Sequence, residues 1–337
     1  MERLIGTIKG GGILALAFSL GLGFAFFPSF GWGAEKILMK YAHVGPPGNP
    51  FDLGAIEFAK KVAEKTKGRV EIKIFPAGQL GEDRDLAEGV QLGSIEIAVP
   101  SNAVMTRYVP RTMLFELPFL FRDDQHWEKV VDGPIGKEMA GYFKAKGFHV
   151  LAFVDGGWRG PYARRPIRNF EDIKGLKFRT MESPMHIAIY DALGARGVPM
   201  SSKETYSALQ QGVVDGCDSP WIWYKQLKHY EIAKHLTTLP LFKLNNVHLM
   251  SEKIATGLSP EVLRAIEEAA YEAQLYQRKV QREMDTRLLE ELKKEGVQVY
   301  TISGEEREKF VQAVSVVWKK YESEVGKDKI EAVLQTK

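Results

Sequence analysis

The sequence predicts an α/β protein of two lobes, with one long helix spanning both. Three observations carry this reading. Strand and helix patterns alternate from Ile37 onward, the rhythm of an open α/β sheet. The chain has 337 residues, enough for two lobes. An apolar stripe of Val262, Ile266, Ala269, Ala273, Tyr276, Val280, Met284, Leu288 and Leu292 marks a helix from Ser259-Pro260 to Lys294. At 1.5 Å per residue it is about 50 Å long, more than one lobe, and its stripe does not keep the strict heptad of a coiled coil.

The elements follow in order. Ile37–Ala42 reads as a strand, and the loop HVGPPGNP (43–50) leads to a helix capped by Asn49 and opened by Pro50. Val70–Phe75 is a second strand, Glu82–Gly93 a helix and Ile95–Val99 a third strand. The apolar run Thr112–Phe121 reads as core rather than a membrane-seeking patch. A single helix is expected over 123–146, then a strand over Phe148–Val154. Loops at His43–Asn49, Pro100–Asn102 and Asp155–Arg159 lie at strand ends, where ligands gather in such sheets. Leu236–Leu241, Val247–Met250 and Val297–Ile302 read as later strands, and Glu305–Val325 as the last helix.

Composition excludes several function classes. Charged residues make up 26% and the formal net charge is +3, with no basic stripe interleaved with aromatics, so no nucleic-acid partner is implied. No HExxH, paired CxxC, GxSxG or Walker loop occurs, and no spacing assembles a nucleophile with its base. No cofactor is expected. A scattered catalytic site in a periplasmic enzyme stands as an alternative. Arg3 and Lys9 precede the apolar run Ile13–Phe27, followed by small residues Gly31, Gly33 and Ala34, the pattern of an export signal cut near Gly33. The alternative is an uncleaved anchor, but the run is short for a span of about 20 residues. The single cysteine, Cys217, is far from that cut, so a lipid anchor is not expected; a periplasmic protein without direct membrane insertion is. Cys217 reads as a small buried residue.

Gly175–Tyr224 organises the second half. GLKFRT is a short strand carrying Arg179, and Ser183-Pro184 then starts a helix. Ser201–Gly212 reads as a further helix, and Val213–Trp221 as strand, tight turn and new helix. An arginine at a strand end before a helix N-terminus favours an anion, because the guanidinium fork grips a carboxylate with two parallel hydrogen bonds. The alternative is a surface arginine in an ion pair. Trp158 could pack on a ligand's carbon skeleton or cover the hinge. Trp221, Trp223 and Tyr224 are a local excess of aromatics, placed either in a cleft or in the core.

The stretch from Gly175 to Gly216 resembles the signature of the solute-binding proteins of tripartite ATP-independent periplasmic (TRAP) transporters, the DctP-like family. The resemblance rests on Gly175, Leu176, Lys177, Arg179, Leu193-Gly194-Ala195, Pro199-Met200, Glu204, Tyr206, Ala208-Leu209-Gln210, Gly212 and Val214-Asp215-Gly216. It implies a type II-like periplasmic binding fold that closes on an organic acid by hinge bending and delivers it to small and large membrane subunits driven by an ion gradient. Arg179 falls on the family's carboxylate-binding arginine and Arg159 on its supporting arginine; the alternative for Arg159 is a pair with Asp155. His43, Ser101 and Asn246 fall at or near polar contact positions. Ser101 departs from the acid found there in sialic-acid-binding members. Ser219 replaces a family asparagine, and Asp218 stands where an acid ligates a metal ion in keto-acid-binding relatives. The expected division is a signal over 1–33, a first lobe of 34–157 plus about 245–280, and a second of 158–244 plus about 281–337, hinged near Asp155–Gly160 and Pro240–Leu244. A ligand sensor feeding a signalling receptor would use the same fold.

Overall fold

The structure is a computed structural model, and it describes residues 36–337. The export signal and its cut near Gly33 lie outside the described residues. β1 (Ile37–Ala42) is followed by α1 (Pro50–Lys65), whose cap is the one expected: Asn49 accepts from Phe51 N at 3.0 Å. β2 (Val70–Phe75) and α2 (Asp83–Leu92) come next, the latter opened by a capping box of Glu82 and Asp85. β3 (Ile97–Ala98) and the short α3 (Asn102–Met105) lead into a 3₁₀ turn over Pro110–Glu116. The apolar run Thr112–Phe121, which overlaps this turn, is core, with Leu114, Phe115, Leu117 and Leu120 buried.

The single helix expected over 123–146 is two, α4 (Asp124–Asp132) and α5 (Pro134–Lys144). Gly133 is extended, and Pro134 lacks the N–H that a continuing helix needs, so the chain turns there. β4 (Phe148–Ala163) is much longer than expected, and Asp155–Arg159 is not a loop but its middle. The break in pattern that looked like a loop is a bulge, with the register slipping between Asp155 and Trp158. Gly157 sits there at φ +93°, and a Cβ on it would meet Gln281 Nε2 at 2.9 Å.

β5 (Lys177–Thr180), α6 (Pro184–Ala192), β6 (Arg196–Pro199) and α7 (Thr205–Gln211) follow. Ser183 stands at the cap of α6, yet its hydroxyl makes no capping bond and is buried without a partner. α7 is shorter than Ser201–Gly212, since Ser201 is bonded to Glu204 ahead of the helix. β7 (Gly216–Pro220) begins where a tight turn was expected, and α8 (Trp221–Gln226) follows directly. Val213–Asp215 is therefore the connection, with Asp218 and Ser219 in the strand itself.

β8 (His235–Thr238) stops short of the expected Leu241, and β9 (Phe242–Ser251) extends well beyond Val247–Met250. α9 (Glu252–Gly257) precedes α10 (Pro260–Lys294), whose 35 residues have the expected bounds. β10 (Gln298–Thr301), α11 (Gly304–Val325) and α12 (Lys327–Gln335) complete the chain; α12 was not expected.

The strands form one mixed sheet in the order β2-β1-β3-β9-β4-β7-β5-β6, with β8 paired to β4 and β10 to β8. Two parallel groups, β2-β1-β3 and β7-β5-β6, are linked only through the antiparallel long strands β9 and β4. α10 bridges separate cores. Its first half buries Val262, Ile266 and Ala269 with Phe51 and Phe58, and its last turns bury Leu288 and Leu292 with Leu209 and Ile222. The stripe is interrupted between them. Tyr276 is exposed, and the buried face becomes Gln274, Gln277, Arg278 and Gln281. These polar side chains meet backbone and acids where α10 crosses the bulge: Gln277 donates to Asp155 O at 2.7 Å, and Arg278 forks onto Asp132 at 2.6 and 2.9 Å.

Candidate ligand-binding cleft

Arg179 lies on a strand flanked on both sides, pairing in register with Val198 of β6 and Cys217 of β7. β6 ends one residue before Met200, and that leaves the Met200 carbonyl within reach of the guanidinium. It accepts from Nε at 3.1 Å and from Nη2 at 2.8 Å. One edge of the fork is thus held by a neutral oxygen, not by an acid. The other edge, Nη1 with the second N–H of Nη2, keeps the two parallel donors that match a carboxylate. Arg179 is 94% buried, so its charge is poorly shielded by water.

It lines a cleft whose space, counted with the open solvent at its mouth, is about 660 Å³. Ser219, Trp223 and Arg159 share the cleft with Arg179, together with Phe51 of α1, Asp83 of α2 and Ser101 ahead of α3. β9 contributes Leu244 and Asn246. The Ser101 hydroxyl caps α3 by accepting from Ala103 N at 3.2 Å. Asn246 donates to Val99 O at 3.3 Å, while its Oδ1 is buried without a partner. Burial pushes the Asp83 carboxyl up to about 7, against the opposing pull of Ser101 N–H and Arg179. Met181, Met200, Val104 and Leu227 give the cleft an apolar lining beside these polar groups.

Arg159 does not pair with Asp155. Its Nε donates to Asp218 Oδ2 at 2.6 Å and its Nη2 to the Asp218 carbonyl, because β4 and β7 run antiparallel with Arg159 and Asp218 two places apart in register. Asp155 is paired instead with Lys243 at 2.8 Å. In this structure the Asp218 carboxylate is paired with the Arg159 guanidinium. Among the described residues no group of three or more His, Cys, Asp or Glu side chains could hold a metal ion.

Four expected contact residues lie outside the cleft lining. His43 is fully buried 3.5 Å from Asp52, edge-on to Tyr41. Asp218 is behind Arg159. Trp158 donates to Asp124 Oδ1 at 2.7 Å and covers the Lys243 ammonium. Trp221 packs into the core around Leu209 and Ile222. In the excess of aromatics after Pro220, Trp223 is the one at the cleft, edge-on to Phe51 at 5.5 Å.

Several cleft residues were not singled out in the sequence. Asp83 had a signal, since it starts the helix after a strand end. Tyr162, Cys217 and His229 had none, because their approach depends on β4, β7 and a 3₁₀ turn at His229–Glu231 meeting in space. Tyr162 Oη lies 2.7 Å from His229 Nδ1 and 3.2 Å from Ser219 Oγ. Burial, with the charge of Arg179 added, lowers the His229 imidazole to about 3 and keeps it neutral.

Two parallel sheet segments joined by crossing strands, with a buried arginine fork facing the gap, define a bilobal solute-binding protein. The profile of the bacterial extracellular solute-binding protein family 7, DctP, matches residues 41–324, and the chain belongs to that family. It is 30% identical to the C4-dicarboxylate-binding periplasmic protein DctP of Rhodobacter capsulatus over 98% of this chain and 97% of that one. The fold is similar to that of the sugar acid binding protein DctPAm of Advenella mimigardefordensis in complex with galactonate, with TM-score 0.87, 31% identity, and coverage of 90% and 98%. It is also similar to a TRAP periplasmic solute binding protein of Sulfurospirillum deleyianum with bound succinate, with TM-score 0.85, 33% identity, and coverage of 90% and 100%. The protein is a solute-binding protein of the TRAP type. The family is one of binding rather than catalysis, and its place is outside the cytoplasmic membrane. Among the described residues no helix is long and apolar enough to cross a membrane.

Proposed function

We propose that this chain captures an organic acid, with Arg179 holding the carboxylate through Nη1 and Nη2, and hands it to the small and large membrane subunits of a TRAP transporter. One observation carries the reading: Arg179 is oriented by a neutral carbonyl on one edge while its other edge is left free at the cleft. The acids named for relatives, C4-dicarboxylates, galactonate and succinate, support a carboxylate as the common feature. Arg159 lines the same cleft with its charge matched by Asp218, so Arg179 is the arginine whose charge is left for a ligand. Ser101, Ser219 and Asn246 supply short polar contacts.

Capture proceeds by hinge closure. The hinge is the bulged middle of β4 with the facing part of β9, since these strands are what join the two parallel groups. The lobe division is the one given by the sequence, 34–157 plus about 245–280 against 158–244 plus about 281–337. Ion pairs across the mouth are consistent with a closed form: Arg84 with Glu182 at 2.9 Å, and Lys203 with Glu82 at 3.0 Å. Export through a cleaved signal brings the protein to the periplasm.

A thermal-shift screen of organic acids on the purified protein tests the reading. A saturating acid at about 100 times its Kd stabilises by about 2.7 kcal/mol. If neutral sugars or amines shift the protein and no acid does, the carboxylate reading falls.

A further inference from the structure

The chain Ser219–Tyr162–His229 ends on an atom with no use inside the protein. His229 is 98% buried, lines the cleft with Arg179, and its Nε2 has no hydrogen-bond partner. Its other ring nitrogen is taken by Tyr162 Oη. Phenol is the stronger hydrogen-bond acid and imidazole nitrogen the stronger base, so the hydrogen between them sits on Tyr162 and is donated to Nδ1. The Ser219 hydroxyl lies 3.2 Å from the Tyr162 oxygen and 3.1 Å from Pro220 O, and its one hydrogen serves one of them at a time. A neutral imidazole that accepts at Nδ1 carries its hydrogen at Nε2. The tautomer therefore leaves one unpartnered N–H on a residue that lines the cleft together with the arginine.

We infer that His229 reads the ligand itself: its Nε2–H donates to an oxygen on the carbon next to the carboxylate held by Arg179, which selects 2-hydroxy and 2-oxo acids over acids with a plain methylene there. This inference rests on the carboxylate reading of Arg179. The arginine's open edge engages both carboxylate oxygens at once, so the nearest further acceptor on such a ligand is the oxygen at C2. Hydroxyl and oxo oxygens both accept, so the donor fits either. An acid lacking that oxygen leaves Nε2–H buried and unpaired, which weakens binding by about tenfold to a hundredfold. The aromatic wall of Trp223 and Phe51 offers no acceptor that would replace it.

Titration calorimetry on matched pairs tests the inference: L-malate against succinate, 2-oxoglutarate against glutarate, and D-gluconate against 2-deoxy-D-gluconate. The wild-type protein binds the C2-oxygenated member of at least one pair about tenfold or more tightly. In His229→Phe that ratio falls to near one, because the oxygenated acid weakens while its partner keeps its affinity. His229→Gln, which retains a donor, keeps part of the preference and carries the same test if the phenylalanine variant does not fold. Binding of acids with no C2 preference, or an equal loss for both members of a pair in the variants, ends this inference and leaves the Arg179 reading standing. If no acid of any pair binds, both readings fall together.

Discussion

Arg159 Nε meets Asp218 Oδ2 at 2.6 Å with both side chains almost wholly buried. Burial alone would lower the arginine pKa, but the carboxylate outweighs it and holds the guanidinium above its ordinary value. The pair ties β4 to β7 beside the cleft. Asp218→Ala leaves a buried cation without its counter-charge, and the expected loss is about 3–5 kcal/mol of stability. Replacing both residues, as Arg159→Met with Asp218→Leu, restores most of that loss. Urea denaturation of the single and double variants measures both; an Asp218→Ala protein as stable as wild type would show that the pair carries no such energy.

Arg179 is different in kind, since its partner is a carbonyl and its open edge faces the cleft. Arg179→Ala removes about 1.5–3 kcal/mol for each charge-assisted bond. Binding of the acid identified by thermal shift therefore weakens by about two or more decades. Arg179→Lys does not restore it, because an ammonium cannot reproduce the fork. Calorimetry decides, and a lysine variant with native affinity counts against the two-bond grip. Arg179→Lys should change stability little, since it keeps a positive charge near the buried Asp83.

The ion pairs at the cleft mouth act on the closed form. Arg84–Glu182 and Lys203–Glu82 are partly exposed, so each is worth at most about 1 kcal/mol. Arg84→Ala with Lys203→Ala should speed ligand release by up to about thirtyfold, with a small effect on the association rate. Stopped-flow displacement reads the two rates. An unchanged release rate would mean that the pairs do not hold the lobes together.

What the sequence made legible follows the range of the interactions involved. The cap at Asn49, the bounds of α10 and the strand of Arg179 are local matters of spacing and propensity, and they were readable. β4 was read too short because its middle carries Asp155-Gly156-Gly157, a turn-like composition that here serves a bulge within a strand. Four of the nine expected contact residues lie outside the cleft lining, and in each case a non-local partner decides: Asp52 for His43, Asp124 for Trp158, Arg159 for Asp218, and the Leu209 core for Trp221. Lys243 shows the same limit from the other side. A lysine inside a strand reads as solvated, yet it is buried between Trp127 and Trp158 and paired with Asp124 and Asp155. No spacing rule brings those five residues together; the bulge in β4 and the N-terminus of α4 do.

His248 gives a pH dependence with a definite sign. It lies in β9 with its ring edge-on to Phe58 at 4.8 Å and to Tyr41 at 5.1 Å, and its Nε2 has no partner. Burial lowers its pKa from 6.5 to about 3. Between those values the unfolded chain binds a proton that the folded chain refuses, so stability falls as pH drops through that window and is unaffected above it. His43, lowered to about 4 by burial against the pull of Asp52, and His229 add to the same trend. Each such group contributes a slope of about 1.4 kcal/mol per pH unit where it is fully developed. His248→Phe keeps the aromatic packing and removes one proton from the balance. The variant should lose less stability than wild type between pH 6 and pH 4.5, while the two respond alike between pH 7 and pH 8. Urea denaturation across that range measures the difference, and parallel curves from pH 8 to pH 4.5 would show that His248 takes up its proton equally in the folded and unfolded chain.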